Sequence, residues 1–202
     1  MQINFIRDFY NIKNGTSIDL DQSAVNILVG ENGAGKTTFL KSLERKRRNR
    51  LLNKYFTIDG MSKQSIIILN SESFRSSKSY FVDSPREVHL NKLQQKSHGE
   101  AWKTQIDSMK QRCRNDSFII MDEPETSLSI ESQLELCEWF LEIKDKYAHI
   151  GAAISTHSLV IIEMLGDHVI ELPYGIKTTA SEYVKSKSSR IQAAKNRIIN
   201  KR

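Results

Sequence analysis

Residues 30–37 read Gly-Glu-Asn-Gly-Ala-Gly-Lys-Thr, and the rest of the chain is read outward from them. Four residues separate the first glycine from the Gly-Lys-Thr end, the spacing of a loop that wraps a phosphate group. Gly30, Gly33 and Gly35 let the backbone approach closely. The N–H groups of the loop, through Glu31, Asn32 and Ala34, can then point at phosphate oxygens. A helix opening at Lys36 and running through Thr38 adds the positive end of its dipole. The Lys36 ammonium can reach β- and γ-phosphates, and the Thr37 hydroxyl is a ligand for Mg²⁺. Before the loop, Val25 to Val29 is a short apolar strand; after it, Phe39, Leu40 and Leu43 share one side of a helix. The loop therefore has the strand–loop–helix setting that phosphate binding requires.

A nucleotide site needs a second anchor for the metal, and residues 118–123 supply one, Phe-Ile-Ile-Met-Asp-Glu. Four apolar residues make a buried strand, and Asp122 emerges at its end to hold Mg²⁺ directly or through water. Glu123 follows and can polarise an attacking water. An apolar run ending in acids is common, but the full run Asp-Glu-Pro-Glu-Thr-Ser-Leu-Ser over 122–129 is far more specific. Guanine specificity is not indicated. Asn53-Lys54 and Asn91-Lys92 both lack the aspartate that an Asn-Lys-x-Asp motif requires at its fourth position.

Around these motifs the apolar pattern alternates between short strands and helical spacing, which predicts an α/β fold with a mainly parallel sheet. Ile66 to Leu69, His149 to Ile154 and Val169 to Leu172 read as further buried strands. Trp102, Ile106, Met109 and Cys113 recur at helical spacing between 101 and 113, as do Ile130, Leu134, Cys137 and Leu141 after Ser129.

The 202 residues fit one compact domain, with 39% hydrophobic and 27% charged residues, as in globular rather than disordered chains. No aliphatic run approaches the roughly 20 residues of a membrane span, and the N-terminus shows no signal-peptide pattern. A cytoplasmic location is expected. Cys113 and Cys137 lie in no metal-ligand spacing and read as small apolar residues on helix faces. His89 and His149 read as ordinary surface or core positions. Residues 173–202 hold eight Lys/Arg against the single acid Glu182, so most of the net charge of +6 belongs to this stretch. That segment is expected to be a basic C-terminal tail, either a helix or partly mobile. It is either a solvated terminus or a contact for nucleic acid or an acidic partner protein.

Two further runs now acquire meaning from their order. Ser97-His98-Gly99-Glu100 lies between the phosphate loop and the Asp122 run, and Thr156-His157-Ser158 follows the strand ending at Ile154. Ser97 and Glu100 at this spacing also form a capping box for the helix over 101–113. Together with the loop and the Asp-Glu-Pro run, the set resembles the ABC ATPases, across residues 1–172. It is similar to their small standalone bacterial members of the SMC/RecF-like branch, often labelled AAA family ATPases, which share the Ser-His-Gly-Glu run and a Glu-Ser-Phe run, here Glu72-Ser73-Phe74.

The resemblance implies a P-loop NTPase of ABC ATPase type, mainly parallel with an antiparallel N-terminal part and a short helical signature lobe over 43–113. It makes Ser97-His98-Gly99-Glu100 the signature that meets the γ-phosphate held by a second copy, so that ATP closes a homodimer. It makes His157 the switch histidine, Ser127-Leu128-Ser129 the loop crossing the dimer interface, and Glu72 a further metal-side residue. His98 stands where the family has a glycine, and Glu100 where it has glutamine. No adenine-stacking aromatic is fixed; Phe9 and Tyr10 are candidates, and core packing is the preferred reading for either. The expected activity is ATP hydrolysis with Mg²⁺, gating a protein partner or a nucleic-acid process such as repair or phage defence. The competing readings are an ATP-dependent regulatory subunit of negligible turnover that controls a toxin or nuclease partner and, behind it, a transporter nucleotide-binding subunit.

Overall fold

The computed structural model describes residues 1–46, 54–60, 65–70, 106–126, 128–147 and 149–199. In chain order these form β1 (Gln2–Phe5), β2 (Ser17–Asp19), β3 (Val25–Val29), α1 (Lys36–Lys46), β4 (Phe56–Asp59) and β5 (Ser65–Asn70). A helix α2 follows, described over 106–112. Then come β6 (Ser117–Asp122), α3 (Ile130–Lys146), β7 (Gly151–Ser155), α4 (Leu159–Leu165), β8 (His168–Glu171), β9 (Ile176–Thr178) and α5 (Ala180–Ile199).

The main sheet runs β5-β6-β7-β3-β8-β9, and β2-β1-β4 form a separate three-stranded antiparallel sheet. All pairings from β5 to β8 are parallel, and β9 joins the edge antiparallel to β8. The strands are apolar on both sides because both faces of the sheet are covered. Val25, Ile27, Val29, Ile119, Met121, Ala152 and Ile154 pack on one face against Leu136, Phe140 and Ile143 of α3 and Ile161, Ile162 and Leu165 of α4. Leu28, Phe118, Ile120, Ala153 and Ile170 pack on the other, against Phe39, Leu40 and Leu43 of α1 and the antiparallel sheet's Ile3, Phe5, Ile18 and Phe56. The period of two along each strand sends alternate residues to the two cores.

One close approach holds β7 in place. A Cβ on Gly151 would lie 2.1 Å from the Gln22 carbonyl oxygen, so only glycine lets the strand pass that turn.

The α2 apolar residues fall as the sequence predicts: Ile106, Met109 and Cys113 are all buried. The chain does not leave the domain at Pro173, where the basic segment was expected to separate. β9 is a strand of the main sheet, and Ala180, Tyr183 and Val184 of α5 pack on the core. Edge pairing and these few apolar residues outweigh the local charge. Among the described residues no helix is long and apolar enough to cross a membrane. Glu72 and Ser97-His98-Gly99-Glu100 lie outside the described residues, as do Trp102, His89 and Ser127.

Candidate functional site

The carboxyl ends of β3, β7 and β6 are adjacent in the sheet, and each is followed by one of the motifs read from the sequence. Parallel strands with helical crossovers leave a crevice along this edge, where open α/β sheets bind ligands.

β3 ends at the loop of residues 30–37. Gly30, Gly33 and Gly35 all have positive φ, at 149°, 85° and 97°. At Gly30 there is no room either, since a Cβ would sit 2.6 Å from the Leu172 carbonyl oxygen. The bend is locked inside by an Ala34 N–H bond to the Glu31 carbonyl at 3.0 Å. It is fastened outside by the Asn11 side-chain amide, which donates to the Gly33 carbonyl. Lys36 is buried, and its ammonium donates to the carbonyls of Gly30 at 2.9 Å and Glu31 at 3.3 Å, inside the curl of the loop. Burial pushes the Lys36 pKa below its ordinary value, while the charges of Glu123, Asp122 and Glu125 pull it back up. The first-turn N–H groups of α1, from Lys36, Thr37 and Thr38, have no acceptor within the helix by construction, which makes the mouth of the loop an anion site.

β6 ends at Asp122, and the Thr37 hydroxyl donates to Asp122 Oδ1 at 3.0 Å. The Ser155 hydroxyl, from the end of β7, donates to the same oxygen at 2.6 Å. Thr37 and Asp122 thus bring two hard oxygen donors together beside the phosphate loop. This suits Mg²⁺, which takes one or two carboxylate or hydroxyl ligands and fills its octahedron with phosphate oxygens and water. Among the described residues no cluster of three or more His, Cys, Asp or Glu forms a self-contained metal cage.

Glu123 adopts φ 45°, a left-handed conformation that costs a non-glycine residue energy and concentrates at functional sites. It is held there by its N–H, which donates to the Ser155 carbonyl at 3.0 Å and approaches the Ser155 hydroxyl at 3.1 Å. Its carboxylate Oε1 lies 3.8 Å from His157 Nε2, and both side chains are about two-fifths exposed, open to a water and a nucleotide.

The loop after β7 is organised by Glu125, Ser158 and Gln133, to none of which the motifs assign an individual role. Glu125 Oε1 accepts a hydrogen bond from the His157 N–H at 2.7 Å. The Ser158 hydroxyl caps α4 by accepting from the Ile161 N–H at 3.2 Å and donates to Gln133 Oε1 at 2.6 Å. Gln133 Nε2 in turn donates to the Leu128 carbonyl at 3.2 Å. The Leu128 segment, the head of α3 and the His157 loop are one hydrogen-bonded unit. Apart from the Ser158 cap and the Gln133–Leu128 bond, which span three and five residues, these contacts join residues 25 to 32 positions apart, so spacing along the chain does not announce them.

Of the two aromatics near the loop, Phe9 is buried among Phe5, Tyr55 and Phe56. Tyr10 is 72% exposed, edge-on to Phe9 and next to Asn11. His149 is exposed on the surface.

No protein-family profile matches the sequence. The zinc import ATP-binding protein ZnuC of Hydrogenovibrio crunogenus is 26% identical over 180 residues, which cover 75% of this chain and 69% of that protein. Among solved structures, cbiO1 of Clostridium perfringens, part of the ABC transporter complex cbiONQ, matches with a TM-score of 0.60 at 15% identity, over 92% of this chain and 90% of that one. A dimeric ATP-binding cassette in a post-hydrolysis state, bound to ADP and Pi, matches with a TM-score of 0.58 at 13% identity, over 89% and 99%. The fold is that of the ABC ATPase domains, a P-loop α/β architecture.

Proposed function

We propose that this chain is an ATPase that closes as an ATP-sandwiched homodimer and gates a partner protein. The carrying observation is the convergence of the phosphate loop, the Asp122-Glu123 turn and the His157 loop at the ends of three adjacent strands. In this reading the α1 N-terminus, the loop amides and Lys36 hold the β- and γ-phosphates. Thr37 and Asp122 would hold Mg²⁺, whose charge offsets that of the phosphate oxygens. Glu123 takes a proton from a water whose oxygen bonds to the γ-phosphorus. The bond to the β–γ bridging oxygen breaks, and its electron pair leaves with ADP. His157, close to Glu123, contacts the transferring phosphoryl group. The fixed positive groups act where charge develops, without reorganising.

Ser97-His98-Gly99-Glu100 supplies the facing half of the site from a second copy, within a signature lobe over 43–113. With Glu72-Ser73-Phe74 it supports assignment to the standalone SMC/RecF-like branch. A second reading, a transporter motor, is favoured by the similarity to ZnuC, an ATP-binding subunit for zinc import. The purified chain alone separates these readings. Steady ATP turnover without any membrane protein supports the first, and negligible turnover leaves a regulatory or transporter subunit. Lys36→Ala removes at least one charge-assisted bond worth about 1.5–3 kcal/mol, so affinity for a labelled ATP analogue should fall by roughly 10–100-fold or more. Unchanged affinity in that variant removes the phosphate-loop assignment.

A further inference from the structure

We propose that the outer half of α5 is one strand of a heterotypic coiled coil, and that its other strand is an acidic amphipathic helix of a partner protein. Along α5, Ala180, Val184, Lys187, Ile191, Ala194 and Ile198 follow one another at steps of four, three, four, three and four. That alternation is the one a two-stranded coiled-coil seam shows. The inner part of the seam is already covered. Ala180 is buried, Tyr183 and Val184 pack on the domain core, and the Lys187 ammonium lies 4.9 Å over the Tyr183 ring. Beyond that point the helix runs clear of the body. Every residue from Ser188 to Ile198 is exposed, with Ile191 at 61% and Ile198 at 63%. The apolar part of the seam, Ile191 to Ile198, therefore extends about 10 Å at 1.5 Å per residue, with nothing among the described residues against it.

The charge pattern chooses the occupant. With Ile191 and Ile198 at the first core position of the heptad, the two flanking positions are filled by Arg190 and Arg197 on one side and Lys195 on the other. The back of the helix carries Ser189, Gln192, Ala193 and Asn196, none of them charged. Flanking positions form the ion pairs that set partner choice in coiled coils. A second copy of α5 would bring basic flanks against basic flanks in either direction, which disfavours self-pairing. Glutamates or aspartates at the partner's flanking positions would instead face Arg190, Lys195 and Arg197. Nucleic acid would use the charges but would leave the Ile191–Ala194–Ile198 seam without a role. The inference gives the chemistry of the partner in the reading above and rests on no step of ATP turnover.

The test uses the full chain and two labelled three-heptad peptides with the same Ile/Leu seam, one with Glu at its flanking positions and one with Lys. The Glu peptide should bind at least about tenfold tighter by fluorescence anisotropy. Ile191→Asp/Ile198→Asp should lose about tenfold or more, and Arg190→Glu/Lys195→Glu/Arg197→Glu should reverse the preference towards the Lys peptide. Equal binding of the two peptides, or binding indifferent to the isoleucine changes, overturns the proposal. Tighter binding to a duplex oligonucleotide or to phosphatidylglycerol vesicles, dependent on the basic residues alone, overturns it in favour of a nucleic-acid or membrane contact. ATP turnover measured on the same samples keeps the two readings apart: its absence ends the ATPase reading and leaves the helix pairing standing.

Discussion

Glu125 Oε1 accepts the backbone N–H of His157 at 2.7 Å, so the turn that presents Glu123 and the loop that presents His157 are fastened by one carboxylate. Its other oxygen is shielded from solvent and has no partner among the described residues. Glu125 therefore acts through its neighbours, setting where His157 stands relative to Glu123.

Glu125→Ala should leave ATP affinity close to that of the native chain while turnover falls about 10–100-fold, the scale of an ångström-sized misplacement. Glu125→Gln keeps an oxygen for the His157 N–H and should recover most of the rate. Single-turnover kinetics with both variants checks this. Equal losses in the two would mean that the charge, and not the bond to His157, is what matters.

Glu123→Gln should bind ATP and fail to turn it over, because an amide does not accept the water's proton. Trapped with ATP and Mg²⁺, the variant should elute as a dimer, and without nucleotide as a monomer. Native-rate hydrolysis by this variant would remove Glu123 from the role of base, and a monomer at saturating ATP would remove the sandwich.

Two glycine substitutions should separate stability from binding. Gly151→Ala drives a Cβ to 2.1 Å from the Gln22 carbonyl, far from the phosphate loop. It should destabilise the domain by about 1–3 kcal/mol or more, as overpacking does, with ATP affinity of the folded fraction kept. Gly30→Ala combines a 2.6 Å approach to the Leu172 carbonyl with φ 149° inside the loop itself. It should cost affinity as well. Thermal melts with and without nucleotide distinguish the two, and a Gly151→Ala protein as stable as the native one would contradict the packing described for β7.

Burial, with a smaller contribution from the Glu138 charge, pushes the Cys137 thiol up to about 11. Burial also raises Cys113, against the pull of Arg112 and Arg114. Neither thiol should react with an alkylating reagent at neutral pH until the chain unfolds. The raised folded-state pKa means that the neutral thiol is favoured in the native protein. Its contribution to stability is complete below about 9, the ordinary thiol value, and is lost as pH rises through about 11. Denaturant midpoints across that range, for native chain and Cys137→Ser, test the sign: the native midpoint should fall more steeply.

The core strands and the phosphate loop were legible from the sequence because their information is local. Val25 to Val29, Ile66 to Leu69 and Phe118 to Met121 are continuous apolar runs, and the glycines at 30, 33 and 35 satisfy a backbone need within eight residues. Asp122 and Glu123 were readable for the same reason, as acids at the end of a buried strand. Thr37 reaches Asp122 across 85 positions, a meeting that their shared metal role implied. Tertiary structure alone decided the other contacts: Ser155 holds Asp122 and Glu123 from 32–33 positions away, and Glu125 reaches the His157 backbone across 32. Strand order in the sheet makes these contacts. β7 lies between β3 and β6 although it follows both in the chain, and no local periodicity encodes that insertion. At the C-terminus the composition of 173–202 pointed to an appendage, yet β9 and the head of α5 belong to the domain. Charge is a property of the residues themselves; whether a segment docks depends on an open sheet edge and a few apolar side chains that only the folded chain brings within reach.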